Sequence, residues 1–247
     1  MACGRTILCL VAVLLGGCLV NDELYDERYQ ELLHEAEVGG TYGVRFTADP
    51  DCILVDASEL VLEGPFSFDA YIWPVARPGF ATWPIVAWPG HFAVYQDPHG
   101  YTVAGPADEF GTTSGVSTTM SIMDGDTHHV AVNYAQNGNL TLFIDGLEKA
   151  IGPVEFSGEA ASNLYIGCWP DQDATFSGVI GEVRLSDSAL YTGGFEPDWK
   201  PYEVSQSTLG LWHLDEGEGT DVYDETGTHD GVLYGGTWEH FYLGPEQ

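Results

Sequence analysis

The sequence predicts an all-β protein, a sandwich or barrel of many short strands, on three observations. From Gly43 onward, runs rich in Val, Ile, Phe, Tyr and Trp follow one another, separated by Gly, Pro and Asp. Several of them alternate, as F-S-F-D-A-Y-I-W (66–73) and H-V-A-V-N-Y (129–134) do, and a period of two belongs to a strand with one face buried. Tight-turn chemistry stands between runs: Asn137-Gly138 and Asp145-Gly146 suit short hairpin connections. No run beyond residue 38 has helical periodicity, and short strands with turn-rich links pack as sandwiches or barrels.

The chain opens with Arg5, an apolar run from Thr6 to Leu15 and two glycines, the layout of a secretory signal and too short to span a bilayer. L-L-G-G-C, ending at Cys18, resembles the bacterial lipobox, with an ordinary signal peptide as the alternative. The resemblance implies cleavage before Cys18 and lipidation of Cys18, hence a membrane anchor. Each buried methylene is worth about 0.8 kcal/mol, so several acyl chains hold firmly. Leu19, not Asp, follows Cys18, which in such lipoproteins implies the outer membrane of a Gram-negative bacterium. Residues 1–17 are therefore expected to be a signal peptide and 18–40 an acidic tether. In the tether, Leu24, Leu32 and Leu33 make only a weak helical stripe. Residues 41–247 are expected to form the strand-rich domain.

The strand candidates, in order, are G-V-R-F-T (43–47), C-I-L-V-D (52–56), F-S-F-D-A-Y-I-W-P (66–74), P-I-V-A-W (84–88), H-F-A-V-Y-Q (91–96) and H-G-Y-T-V-A-G (99–105). T-T-M-S-I-M (118–123), H-H-V-A-V-N-Y-A (128–135), L-T-L-F-I-D-G (140–146) and N-L-Y-I-G-C-W (163–169) follow. G-V-I-G-E-V-R-L-S (178–186), L-G-L-W-H-L-D (209–215) and D-G-V-L-Y-G (230–235) complete the set. Pro74, Pro78, Pro84 and Pro89 are read as lying between runs, where a missing N–H costs little. Alternation sends His128 and His129 to opposite faces, one hydrogen-bonded in the core and one solvated, which disfavours a two-histidine metal pair.

Seven Lys and Arg face 38 Asp and Glu, for a formal net charge of −31. A nucleic-acid partner requires phosphate-neutralising cations and is excluded; polyanionic polymers are disfavoured for the same reason. Cys3 and Cys9 leave with the signal and Cys18 carries the lipid, so Cys52 and Cys168 remain as an even pair in an oxidising compartment. A disulfide and two buried thiols are both open readings.

Four segments carry a family resemblance. They are Gly43 to Pro74, with Ser58, Leu60, Phe66 and Trp73 in matching roles; T-H-H-V-A-V-N-Y-A-Q-N-G-N-L-T-L-F-I-D-G (127–146); F-S-G-V-I-G-E-V-R-L-S-D-S-A-L (176–190); and L-W-H-L-D-E-G-E-G-T-D-V-Y-D-E-T-G-T-H-D-G-V-L (211–233). In this order they resemble the bacterial laminin G-like domains of the concanavalin A-like lectin and glucanase superfamily. That resemblance implies a jelly-roll β-sandwich, and domains of this kind often hold Ca²⁺. Two departures stand out: Thr127 replaces a Trp and Gly181 replaces an Asp. The last segment is usually found at the start of such domains, so here it is expected to complete one sandwich from the C-terminal side.

Candidate calcium ligands are Asp215, Glu216, Asp224 and Asp230 in the acidic loop, with Asp145, Glu182, Asp171 and Asp173 as competitors. Carboxylates supply hard oxygens and glycines allow backbone carbonyls to converge. Asx-turns explain the same residues without metal, and the spacing is not that of an EF-hand. A retaining glycosidase needs two carboxylates about 5 Å apart; the Glu-x-Asp-x-x-Glu spacing that sandwich hydrolases use is absent, so glycoside hydrolysis is a remote alternative. Carbohydrate recognition without catalysis, with calcium assistance, is the leading expectation. Trp83 and Trp88, in a Pro-rich aromatic stretch, are its candidate platforms. A structural or protein-interaction module of the cell envelope is the rival.

Overall fold

The computed structural model describes residues 42–47, 51–76, 82–107, 115–158, 160–170 and 173–244; the signal, the tether, Cys18 and Asp171 lie outside them. The described strands are β1 (Gly43–Phe46), β2 (Cys52–Asp56), β3 (Phe66–Pro74), β4 (Trp83–Trp88), β5 (Phe92–Gln96), β6 (Tyr101–Pro106), β7 (Val116–Ser121), β8 (His128–Tyr134) and β9 (Asn139–Ile144). β10 (Leu147–Pro153), β11 (Asn163–Ile166), β12 (Cys168–Trp169), β13 (Ala174–Thr175), β14 (Gly178–Ser186), β15 (Thr208–Trp212), β16 (Asp221–Val222), β17 (Gly231–Tyr234) and β18 (Thr237–Glu239) follow.

They form two large sheets. One runs β10-β9-β8-β3-β14-β1-β18, with β15 beside the second half of β14; the other runs β16-β17-β2-β11-β4-β5-β6-β7. The pairings are antiparallel. Alternate residues of each sheet face the other. Phe66, Phe68, Ala70 and Ile72 of β3 meet Ile53 and Val55 of β2, Phe92 and Val94 of β5 and Ile166 of β11 in one apolar cluster. Each fully buried side chain of this size contributes about 1.5–3 kcal/mol relative to exposure.

The C-terminal strands belong to both sheets. β15 pairs with β14, β17 with β2 and β18 with β1. Trp212 is fully buried, and its indole N–H donates to the His229 carbonyl at 2.8 Å. Arg45 on β1 grips Glu239 on β18 through two contacts, one of them Nη2 to Oε1 at 2.6 Å.

Cys52 and Cys168 are disulfide-bonded, with Cα atoms 5.1 Å apart. The bond ties β2 to the small β12–β13 hairpin. That hairpin lays Trp169 and Ala174 against Ala87 and Ala93, on the opposite side of the second sheet from the main core.

Three expectations are corrected. Trp83 and Trp88 are not platforms: they are 3% and 1% exposed. An odd spacing would place them on opposite faces of a regular strand. A bulge between Pro84 and Val86 restores the register, and both turn into the core. Pro84 thus lies within β4, beside the bulge, where proline is tolerated, and Pro74 is the last residue of β3 rather than part of a link. His128 and His129 do take opposite faces, but both are buried; neither is solvated.

Candidate binding pocket

β3 is buried on both faces, and the cause is its crossing strap. Residues 187–206 leave β14, run over the outer face of the first sheet and return as β15. Backbone bonds seat the strap: Phe195 N–H donates to the Gly146 carbonyl at 2.9 Å, Tyr191 N–H to Asn133 Oδ1 at 3.1 Å and Tyr202 N–H to Glu182 Oε2 at 3.1 Å. Gly146 has φ +71° and a Cβ there would lie 1.8 Å from the Phe195 carbonyl oxygen, so only glycine lets the strap approach the β9–β10 turn.

Beneath the strap lies a polar network. Asp69 of β3 is fully buried. Its Oδ2 accepts from Arg184 of β14, at 3.3 Å from Nε and 3.2 Å from Nη2. The Tyr191 hydroxyl donates to Oδ1, and His129 Nε2 faces the same oxygen at 3.6 Å. The Arg184 guanidinium lies 4.2 Å over the Tyr202 ring. Burial pulls the pKa of Arg184 down, but Asp69 outweighs it and the net shift is upward. Burial raises the pKa of Tyr71 and, with Asp69 added, of Tyr191 and Tyr202, so all three hydroxyls stay protonated.

Around this network opens a cavity of about 360 Å³. Tyr71 and Tyr202 stack at 5.3 Å, and Tyr191 stacks on Phe195 at 3.9 Å. Glu196, Asp198, Lys200 and Glu203 stand at its rim. The arrangement offers aromatic faces, planar hydrogen-bonding groups and protonated hydroxyls. Sequence reading passes over the strap: its aromatics at 191, 195, 199 and 202 have helix-like spacing, but Gly193, Gly194, Pro197 and Pro201 interrupt the segment, so it reads as neither strand nor helix.

Most of the described calcium candidates are engaged within the protein. Asp224 accepts N–H donors from Leu211 (2.9 Å), Thr226 (3.1 Å) and His229 (3.0 Å), plus the Thr226 hydroxyl, so both of its oxygens are engaged. Asp230 accepts the Asp224 N–H at 2.9 Å, and Glu216 accepts the Tyr223 N–H at 2.7 Å. Asp145 accepts the His129 N–H and faces His128, and Glu182 faces His213 Nδ1 at 2.7 Å. Asp215 and Asp173 are exposed. Among the described residues, no group of three His, Cys, Asp or Glu is placed to hold a metal ion. Gly181 is covered by Phe241: a Cβ there would lie 2.3 Å from that ring.

A second depression, about 290 Å³, borders the disulfide and is lined by Leu54, Tyr165, Pro170 and Tyr234. Apart from the two tyrosine hydroxyls its lining is apolar.

Residues 50–192, more than half of the chain, match the family described as the concanavalin A-like lectin/glucanases superfamily, laminin G type. A comparison with curated proteins returned no match. Among solved structures, a Bacteroides ovatus protein described as a candidate carbohydrate-binding protein is similar at 18% identity and a TM-score of 0.65, over 85% of this chain and 62% of that one. This chain therefore spans less than two thirds of that protein's length. A pentraxin of Limulus polyphemus is similar at 14% identity and a TM-score of 0.46, over 78% of this chain and 95% of that one. Domains LG4-5 of the mouse laminin α1 chain are similar at 14% identity and a TM-score of 0.44, over 67% and 48%.

Proposed function

We propose, for a chain that belongs to the concanavalin A-like lectin/glucanases superfamily, that it binds carbohydrate without catalysis in the cavity beneath the strap. The observation that carries this is the pairing of aromatic walls with the Asp69–Arg184–Tyr191 floor. Sugar C–H faces stack on rings, and their hydroxyls seek a few convergent planar polar groups; a cavity of this size suits one or two residues of a glycan. Catalysis is disfavoured because the two buried carboxylates of this face are engaged, Asp69 by Arg184 and Glu182 by His213.

Calcium assistance belongs to the same proposal and rests on the net charge of −31. Asp224 fits a ligand role poorly because it is already a hydrogen-bond acceptor for the backbone, so no step of recognition is routed through an ion there. An envelope location with a lipid at Cys18 is likewise proposed, and the intact mass of protein extracted from membranes checks it.

A glycan screen on the full chain, with millimolar Ca²⁺ and then with chelator, tests the function. Saturable binding is expected, weakened about two- to tenfold by Tyr202→Ala, since an aromatic contact is worth about 0.5–1.5 kcal/mol. Binding that ignores Tyr202→Ala would place the site elsewhere. Silence from a folded protein would overturn the reading and favour the rival, a protein-interaction module docking through the apolar depression at Tyr165 and Tyr234.

A further inference from the structure

Charge is unevenly distributed around the cavity beneath the strap. Its floor is balanced: Asp69 is matched by Arg184 at 3.2 Å. At the rim Lys200 is already paired with Asp198 at 3.4 Å, which leaves Glu196 and Glu203, both exposed, without a matching cation among the described residues of the rim. The cationic or titratable nitrogens of the cavity, on Arg184, Lys200 and His129, each face a carboxylate. None is left over for an anionic ligand. The chain as a whole carries −31, so the long-range field attracts cations and repels anions.

Hydrogen-bonding capacity has the same sign. His129 is 1% exposed, its Nε2 faces the Asp69 carboxylate, and its Nδ1 is buried with no hydrogen-bond partner. At that burial neither ring nitrogen is open to a ligand, so the imidazole offers an anion no accessible N–H. A carboxylate or sulfate, which only accepts, therefore finds no partner in this imidazole.

We propose that the cavity takes amine-bearing saccharides in preference to neutral ones and rejects uronic and sialic acids. This rests on the carbohydrate reading and adds the ligand class to it. The ammonium group would lie at the rim between Glu196 and Glu203, while the sugar ring uses the same aromatic walls that a neutral sugar would.

The test is calorimetric binding of three probes to the full chain: a β-1,4-linked glucosamine hexamer, the β-1,4-linked glucose hexamer, and an oligogalacturonate. The glucosamine hexamer is expected to bind about three- to tenfold tighter than the glucose hexamer at low salt, the effect of two exposed charge pairs. That advantage should shrink at physiological ionic strength, where the screening length is about 8 Å. Glu196→Gln with Glu203→Gln should remove most of that advantage, the remainder being the long-range attraction of the whole chain. Glu63→Gln with Asp221→Asn, the same charge change on surfaces outside the cavity, should leave the ratio in place. Equal affinity for the two hexamers, comparable binding of the uronate, or an equal loss in the Glu63/Asp221 variant would each overturn the inference while leaving carbohydrate binding intact. Failure of all three probes to bind would remove the carbohydrate reading and this inference together.

Discussion

Asp224 does for the acidic loop what a cross-link would do. It is buried, and three backbone N–H groups from Leu211, Thr226 and His229 converge on it within 2.9–3.1 Å. Burial works to raise its pKa, but those donors outweigh it and hold the carboxyl below the usual range. Removing an acceptor from buried donors costs about 1–3 kcal/mol per group left unpaired. Asp224→Ala is therefore expected to lower stability by about 3 kcal/mol or more, read as a reduced urea midpoint; a loss under about 1 kcal/mol would show that water replaces the carboxylate freely. In the sequence, Asp215, Glu216, Asp224, Glu225 and Asp230 look interchangeable, because composition records how many acids a loop has and not which one turns inward. Trp83 and Trp88 were illegible for a related reason. Whether an aromatic faces solvent depended on one bulge at Pro84, and a bulge has no unique residue signature.

Elements differ in how plainly they announce themselves. The alternating strands β3 and β8 and the Asn-Gly and Asp-Gly turns were readable, because side-chain period and turn geometry are local properties. The strap was not, since its course is fixed by distant partners: Asn133, Gly146 and Glu182. Between β7 and β8 another long-range device appears. His128 places Nε2 at 2.9 Å from Asp124 and Nδ1 at 2.9 Å from Asp145, joining the turn before β8 to the turn after β9. Burial opposes its charge, yet the two carboxylates prevail and its pKa is raised. A raised imidazole contributes stability that is complete below its ordinary value near 6.5 and disappears as pH rises through the folded value. The denaturation midpoint should therefore fall from about pH 6.5 upward. Replacing His128 by Gln should flatten part of that slope, with His213, raised by its bond to Glu182, supplying the same sign. An unchanged slope in the His128 variant would mean the clamp carries no linkage. At the acid end, burial opposes and the bond to His128 lowers the pKa of Asp124. Its contribution is present above the ordinary carboxylate value near 3.9 and is lost as pH falls through the lowered one.

For the whole molecule, fold class and family could be read early, because four motif segments in a fixed order are specific even where each is weak alone. The cysteine pairing stayed open until the fold brought β2 and the β12–β13 hairpin together. The cavity beneath the strap was unreadable because it is assembled from three strands and a segment broken by Gly193, Gly194, Pro197 and Pro201. The closing of both sheets by the last strands has a consequence in time. Arg45 and Glu239, which join β1 to β18, are 194 residues apart. At synthesis rates of about 5–20 residues per second, about ten to forty seconds separate the appearance of these two partners. Throughout that interval β1 lacks β18 and β2 lacks β17, so an edge in each sheet waits for chain not yet made. Sandwich closure in this protein is an event of late biogenesis, and factors that capture extended chain have that interval in which to act.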